Sequence, residues 1–310
     1  METTTQKRIL GLYRDGSRHV VGDGFHVRNL FPSNPIGEDL SPFLLLDYAG
    51  PTRYSPTDTP RGVGEHPHRG FETVTIVYQG ELEHRDSAGH SGRLRPGDVQ
   101  WMTAASGVVH EEKHERAFAA RGGTMQMVQL WVNLPAKDKM SKPRYQELAA
   151  AQIPRVDLPG GAGSARVIAG ELRGVRGPAR TFTELNVWDL ELDGSTDLEI
   201  PAGHTAAVVV LEGEVSVEGS RPIRDAHMAV LSREGSAVRI EAAEASKLLV
   251  LSGVPLGEPV VSSGPFVMNT GQEIYQAMKD YQTGAMGSLA PRETVPSAFA
   301  KRAAEAERAS

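Results

Sequence analysis

Val77-Tyr-Gln-Gly-Glu-Leu-Glu83 and Val210-Leu-Glu-Gly-Glu-Val-Ser216 are two copies of one pattern, an apolar run that meets a glycine turn and leaves it with alternating residues. Each copy is followed by a further strand-like run ending in an apolar pair. Such a turn joins consecutive strands. Its repetition in one chain favours two stacked barrels or sandwiches over a single continuous sheet.

Outward from these copies the same grammar recurs. Phe43 to Leu46, Thr73 to Tyr78, Val99 to Met102, Met127 to Leu134, Ala206 to Leu211 and Lys247 to Leu251 are apolar runs of strand length with turn signals between them. The 33 glycines and 20 prolines suit many short strands and tight turns better than a helical bundle. The expected fold is all-β with a few short helices. One helix is expected near Tyr145-Gln-Glu-Leu-Ala-Ala150. A second is expected over Gln272 to Lys279, where Ile274, Tyr275 and Met278 have helical spacing. Pro135 to Ala151 reads as a linker, and the domains are expected at 1–145 and 146–310. The Ala, Glu and Arg tail after Pro291 has little to bury.

A chain of 310 residues buries a core without staples, and with no cysteine it has neither disulfides nor thiolate ligands. A bound metal would therefore use imidazole and carboxylate. The net charge of −6 with scattered Lys and Arg gives no footprint for nucleic acid. No apolar run is long enough to cross a bilayer, and no apolar segment follows the first charges, so a cytoplasmic protein is expected.

Residues two apart on a strand share a face, so His66 and His68 in Glu65-His-Pro-His-Arg69 can bring two imidazoles to one point. A lone His-x-His is weak, but Gly107-Val-Val-His-Glu-Glu112 adds His110 and Glu112 at the same spacing, with Glu111 pointing away. Three nitrogens and one carboxylate suit Fe(II), Mn(II), Ni(II), Cu(II) or Zn(II), and leave an octahedral ion open positions for catalysis. Glu72, an even count beyond both histidines of the first pair, is the rival carboxylate, and spacing does not choose between it and Glu112. His84 and His90 are expected at exposed turns. His114 could support a ligand, and Trp101 and Trp131 are expected in the core.

His66-Pro-His-Arg-Gly-Phe-Glu72, Pro96-Gly-Asp-Val-Gln-Trp-Met-Thr103, Gln129-Leu-Trp-Val-Asn-Leu-Pro135 and Gly264-Pro-Phe-Val-Met-Asn-Thr270 together resemble the pirin family. The four motifs stand in the family's order and span most of the chain. The resemblance implies a bicupin, two jelly-roll β-barrels face to face, with a metal only in the N-terminal one. The implied ligands are His66, His68, His110 and Glu112, with Fe(II) as the metal and Ni, Mn, Cu or Zn able to replace it. In the second repeat Glu199 and Pro201 stand where His66 and His68 would, and His204 and His227 are isolated and read as structural.

The implied activity is a quercetin 2,3-dioxygenase-like oxygenation of a flavonol or related aromatic enol by dioxygen, with Glu112 as the catalytic group that takes the enol proton. The alternative is an iron-binding, redox-sensitive regulator acting through a protein partner. A sugar isomerase of cupin type would have the ligands without support from the family. A monomer is expected.

Overall fold

The computed structural model describes residues 5–14, 16–31 and 37–291. The tail after Pro291 lies outside them. All six apolar runs noted above fall in strands, save that Leu134 lies one residue past the end of Gly123–Asn133, and among the described residues no helix is long and apolar enough to cross a membrane.

Alternation decides how the strands layer. In Phe71–Gln79, Val74 and Ile76 project to one face, while Thr73, Thr75 and Val77 project to the other. That strand lies near the middle of a seven-stranded antiparallel sheet in the order Arg144–Leu148, Val99–Thr103, Phe71–Gln79, Gly123–Asn133, Phe43–Tyr54, Phe25–Phe31, Ser17–Val21. A four-stranded sheet, Gly62–His68, Val108–His114, Leu82–Asp86 and Ser91–Leu94, closes it into the first barrel. Val77, Leu82, Leu94, Met125 and Met127 pack between the two. A second barrel repeats the plan, with seven strands centred on Thr205–Glu212 and Ser246–Gly253 and four others headed by Ser195–Glu199.

The two seven-stranded sheets share one apolar layer. Leu46, Ile76, Trp101 and Leu130 from the first barrel are buried with Val187, Val209, Leu249 and Leu251 from the second. The duplicated glycines both turn the chain from the large sheet into the small one. Gly80 has φ +84 and Gly213 has φ +91, a region that side chains rarely adopt. The chain is thus all-β with two stacked barrels, as expected from the repeat, and has the bicupin plan that the resemblance implies.

The barrels also exchange their ends. Ile9–Tyr13 pairs with His227–Leu231 in the second barrel's sheet. In return, the hairpin Val261–Ser263 and Phe266–Met268, followed by the helix Gly271–Gln282, crosses back over the first barrel as a strap. Phe266, Met268, Ile274, Ala277, Met286 and Leu289 pack there on Val109. Lys139, buried at 1% exposure, fastens the strap: its Nζ donates to Gly70 O at 2.7 Å, Asn133 Oδ1 at 2.6 Å and Val267 O at 3.0 Å. Arg69 adds an ion pair to Asp280 at 2.8 Å.

Two local expectations are corrected. Arg144–Leu148 is a strand, because five residues there pair with the open edge of Val99–Thr103, and only Ala150–Gln152 makes a short 3-10 turn. A segment this short cannot sustain an isolated helix against such an edge. The helix Gly271–Gln282 does form, capped by Thr270, whose Oγ1 accepts from Glu273 N–H, while Glu273 Oε2 accepts from Asn269 N–H. Its buried face, however, is Ile274 and Ala277, whereas Tyr275 at 69% and Met278 are exposed.

Candidate metal centre

Gly62–His68 and Val108–His114 pair antiparallel with His66 opposite His110, and a bulge between His110 and Glu112 re-aims the second strand. The pairing gathers three imidazoles. Ring centroids lie 4.8 Å apart for His66 and His68, 4.2 Å for His66 and His110, and 4.9 Å for His68 and His110. One nitrogen from each falls within 4.8 Å of the others.

Their outer nitrogens are already engaged. Nδ1 of His66 is 2.7 Å from Gly64 O, and Nδ1 of His68 is 3.4 Å from Pro265 O in the strap. A carbonyl only accepts, so both Nδ1 atoms carry the hydrogen and both Nε2 atoms keep a bare lone pair. Nε2 of His110 is buried with no hydrogen-bond partner. Burial first, and then the neighbouring His66, hold His68 and His110 well below the usual imidazole range, so both are neutral at pH 7. Neutral imidazoles with free nitrogens converging on one point are the donor set of a divalent transition metal, and an orphaned buried nitrogen costs about 1–3 kcal/mol without one. The residues fit the ion.

Glu112 shares His110 with the three-histidine group. It forms a second group with His84 and His110, and its Oε1 accepts from Thr75 Oγ1 at 3.0 Å and Gln100 Nε2 at 3.2 Å. His84 is the residue that sequence reasoning missed. Expected at an exposed turn, it is 1% exposed, because Leu82, His84 and Asp86 alternate inward along Leu82–Asp86 and face His110 and Glu112 across the ladder. The alternation was the available signal. His90 is half-buried and held by Asp86. His114 is wedged among Phe25, Tyr54 and Phe118 and bonds Gly24 O, away from the three-histidine group. Trp101 is in the shared core, but Trp131 lines the site: its ring lies 5.3 Å from His68 and 4.3 Å from Phe71.

Glu72 is separated from the group by geometry. The chain turns at Gly70, φ +90, so the even count from His68 does not carry into the next strand. There Glu72 shares the face of Val74 and Ile76, against Thr103, whose Oγ1 donates to it at 2.6 Å. Burial pushes its carboxyl up to about 7, partly offset by the Thr103 bond. The folded state therefore keeps a proton that the unfolded chain has released, and the stability this gives is full below about pH 4.5 and lost as pH rises through about 7. Glu72→Gln should exceed the parent by about 3 kcal/mol at pH 8 and match it near pH 4.5 in urea unfolding. A constant difference across that range would show that Glu72 does not titrate there.

In the second barrel, His204 is 3% exposed and lies 3.4 Å from Glu184, while His227 Nδ1 accepts from Arg224 N–H. Both groups of clustered ligand-type side chains found among the described residues are in the first barrel.

A family model described as Pirin matches residues 24–132, and one described as Pirin C-terminal cupin domain matches 186–287. A Pseudomonas aeruginosa protein named "Putative quercetin 2,3-dioxygenase" is 56% identical over 90% of this chain and 98% of its own length. Human pirin is 38% identical over 86% of this chain and 89% of its own. The crystal structure of quercetin 2,3-dioxygenase from Acinetobacter baumannii superposes with a TM-score of 0.89 at 51% identity, covering 92% of this chain and 100% of that one.

Proposed function

Since the chain belongs to the pirin family, we propose that it is a metal-dependent dioxygenase of quercetin 2,3-dioxygenase type, acting on a flavonol or related aromatic enol. The observation that carries this is the partnerless, buried Nε2 of His110 beside two further bare imidazole nitrogens. His66, His68, His110 and Glu112 are the proposed ligands of one divalent ion, with iron first among Fe, Ni, Mn, Cu and Zn. We assign that ion to a first unit at 1–145 and give the second unit, 146–310, no metal.

When bound, such an ion supplies a Lewis acid that lowers the pKa of an enol and leaves coordination positions open. The protein's own groups do the rest. Thr75 and Gln100 hold Glu112 by Oε1, and the remaining carboxylate oxygen takes the enol proton on giving up its ligand position, a role worth about 10²–10⁴-fold. Trp131, backed by buried Phe71 and meeting His68 edge-on, offers an aromatic surface beside the site for a planar aromatic ring.

The test is anaerobic reconstitution of the metal-free protein with Fe(II), Ni(II), Mn(II) or Cu(II), followed by oxygen uptake with quercetin. Metal-dependent uptake with release of carbon monoxide is expected, reduced at least about 100-fold in His68→Ala and Glu112→Ala. Metal binding without uptake would favour the regulatory alternative. That alternative draws support from exposed Tyr275, Met278 and Tyr281 on the helix whose Asp280 grips Arg69, the residue after His68.

A further inference from the structure

The mechanism leaves a chain of polar groups behind His110 unused. Asp86 is 6% exposed, and its Oδ1 accepts the backbone N–H groups of Ala88 and His90, each at 2.9 Å. Its Oδ2 lies 3.3 Å from Nε2 of His84 and 3.0 Å from Nδ1 of His90, and the latter is also 3.2 Å from Oδ1. A carboxylate only accepts, so His84 carries a hydrogen on Nε2, and as a neutral ring it has a bare Nδ1. That Nδ1 is 3.4 Å from Nδ1 of His110. One of the two must donate, and it is His110. Its Nε2 is then the bare nitrogen, the same atom that has no partner.

A second arm runs in parallel. The ring of Tyr145 stacks on His84 with centroids 5.0 Å apart at 19°. Its hydroxyl donates to Gln100 Oε1 at 3.2 Å, which turns the amide so that Nε2 donates to Glu112. Both arms start outside the metal group and end on the two residues of the His110, Glu112 pair.

We infer that Asp86 is a positioning residue that, through His84, dictates the tautomer of His110 and so presents a bare Nε2 for a divalent cation. His84 is on this view a bridge and not a ligand. The inference rests on the metal site proposed above, but its first readout does not need the metal. Carboxylates that orient ligand histidines in this way typically change metal affinity about 10–100-fold.

Asp86→Asn is nearly isosteric and reverses the chain. The Ala88 and His90 N–H groups hold the amide oxygen at the Oδ1 position, so the amide N–H₂ faces His84. His84 Nε2 becomes the acceptor, His84 Nδ1 the donor, and His110 is left with its hydrogen on Nε2. In ¹⁵N–¹H spectra of the full-length, metal-free protein, Nε2 of His110, assigned against His110→Gln, should be of pyridine type in the parent and pyrrole type in the variant. Calorimetric affinity for Fe(II), measured without oxygen, and for Ni(II) should fall about 10–100-fold in the variant. A pyrrole-type Nε2 in the parent, or an unchanged tautomer and affinity in the variant, overturns the inference. A parent that binds neither metal yet shows the tautomer switch overturns the metal site alone and leaves the relay standing.

Discussion

Gly70→Ala is expected to lower the unfolding free energy by about 4 kcal/mol or more, and to weaken metal binding with it. A Cβ there would sit 1.9 Å from Val267 O and 2.8 Å from Met268 Sδ, on a backbone at φ +90. Backbone strain alone accounts for about 1–2 kcal/mol. The remainder is the clash, which has no cheap relief. Val267 N donates to Arg69 O at 3.0 Å, and Lys139 ties Val267 O to Gly70 O, so the strap must lift away. Lifting it takes Pro265 O from His68 and leaves the buried Lys139 ammonium short of acceptors, where burial already lowers its pKa to about 8. Gly174→Ala separates the two causes, because Gly174 has φ +79 with nothing within 4 Å. Only the backbone cost of about 1–2 kcal/mol is expected there. Urea unfolding of both variants checks this, and equal losses would mean that the strap yields freely.

The second large effect is expected from His110→Ala. Metal affinity should drop by more than the roughly 100-fold that a supporting residue commands, and oxygen uptake should vanish with it. Stability without metal should change little, because two terms oppose. Truncating a fully buried ring loses packing, while deleting the partnerless Nε2 removes a penalty of about 1–3 kcal/mol. Thermal melts with and without metal make the contrast visible. At a concentration 100 times Kd the parent should gain about 2.7 kcal/mol and the variant nothing. A variant whose melting still rises with metal would assign the ion to other ligands.

Much of this was legible in the sequence because strands have a period of two. The duplicated Gly80 and Gly213 turns, the six apolar runs and the shared faces of His66 with His68 and of His110 with Glu112 are all local patterns. What failed crossed a break in that period or a long stretch of chain. The even count from His68 to Glu72 fails because Gly70 starts a new strand on a different face. The inward turn of His84 was masked by charged Glu83 and Arg85 on either side, although Leu82 and Asp86 keep its alternation. Tyr145 looked helical because its strand partner, Met102, belongs to a distant element. Nothing near His68 announces that its Nδ1 partner is Pro265, 197 residues further on.

That distance sets a schedule. A chain emerging from the ribosome presents His66, His68 and His110 long before Pro265 exists, and the strand Ile9–Tyr13 waits for His227–Leu231 before it has an edge to join. During translation the nascent first barrel therefore holds its imidazoles with His68 unanchored, while the strand Ile9–Tyr13 stands without the sheet it will join. The hold on His68 waits until the segment carrying Pro265 folds back, so a product stopped before that segment carries every proposed ligand and still lacks the hold. The reciprocal exchange thus makes the support of residues gathered by 110 depend on a hairpin that begins at Val261.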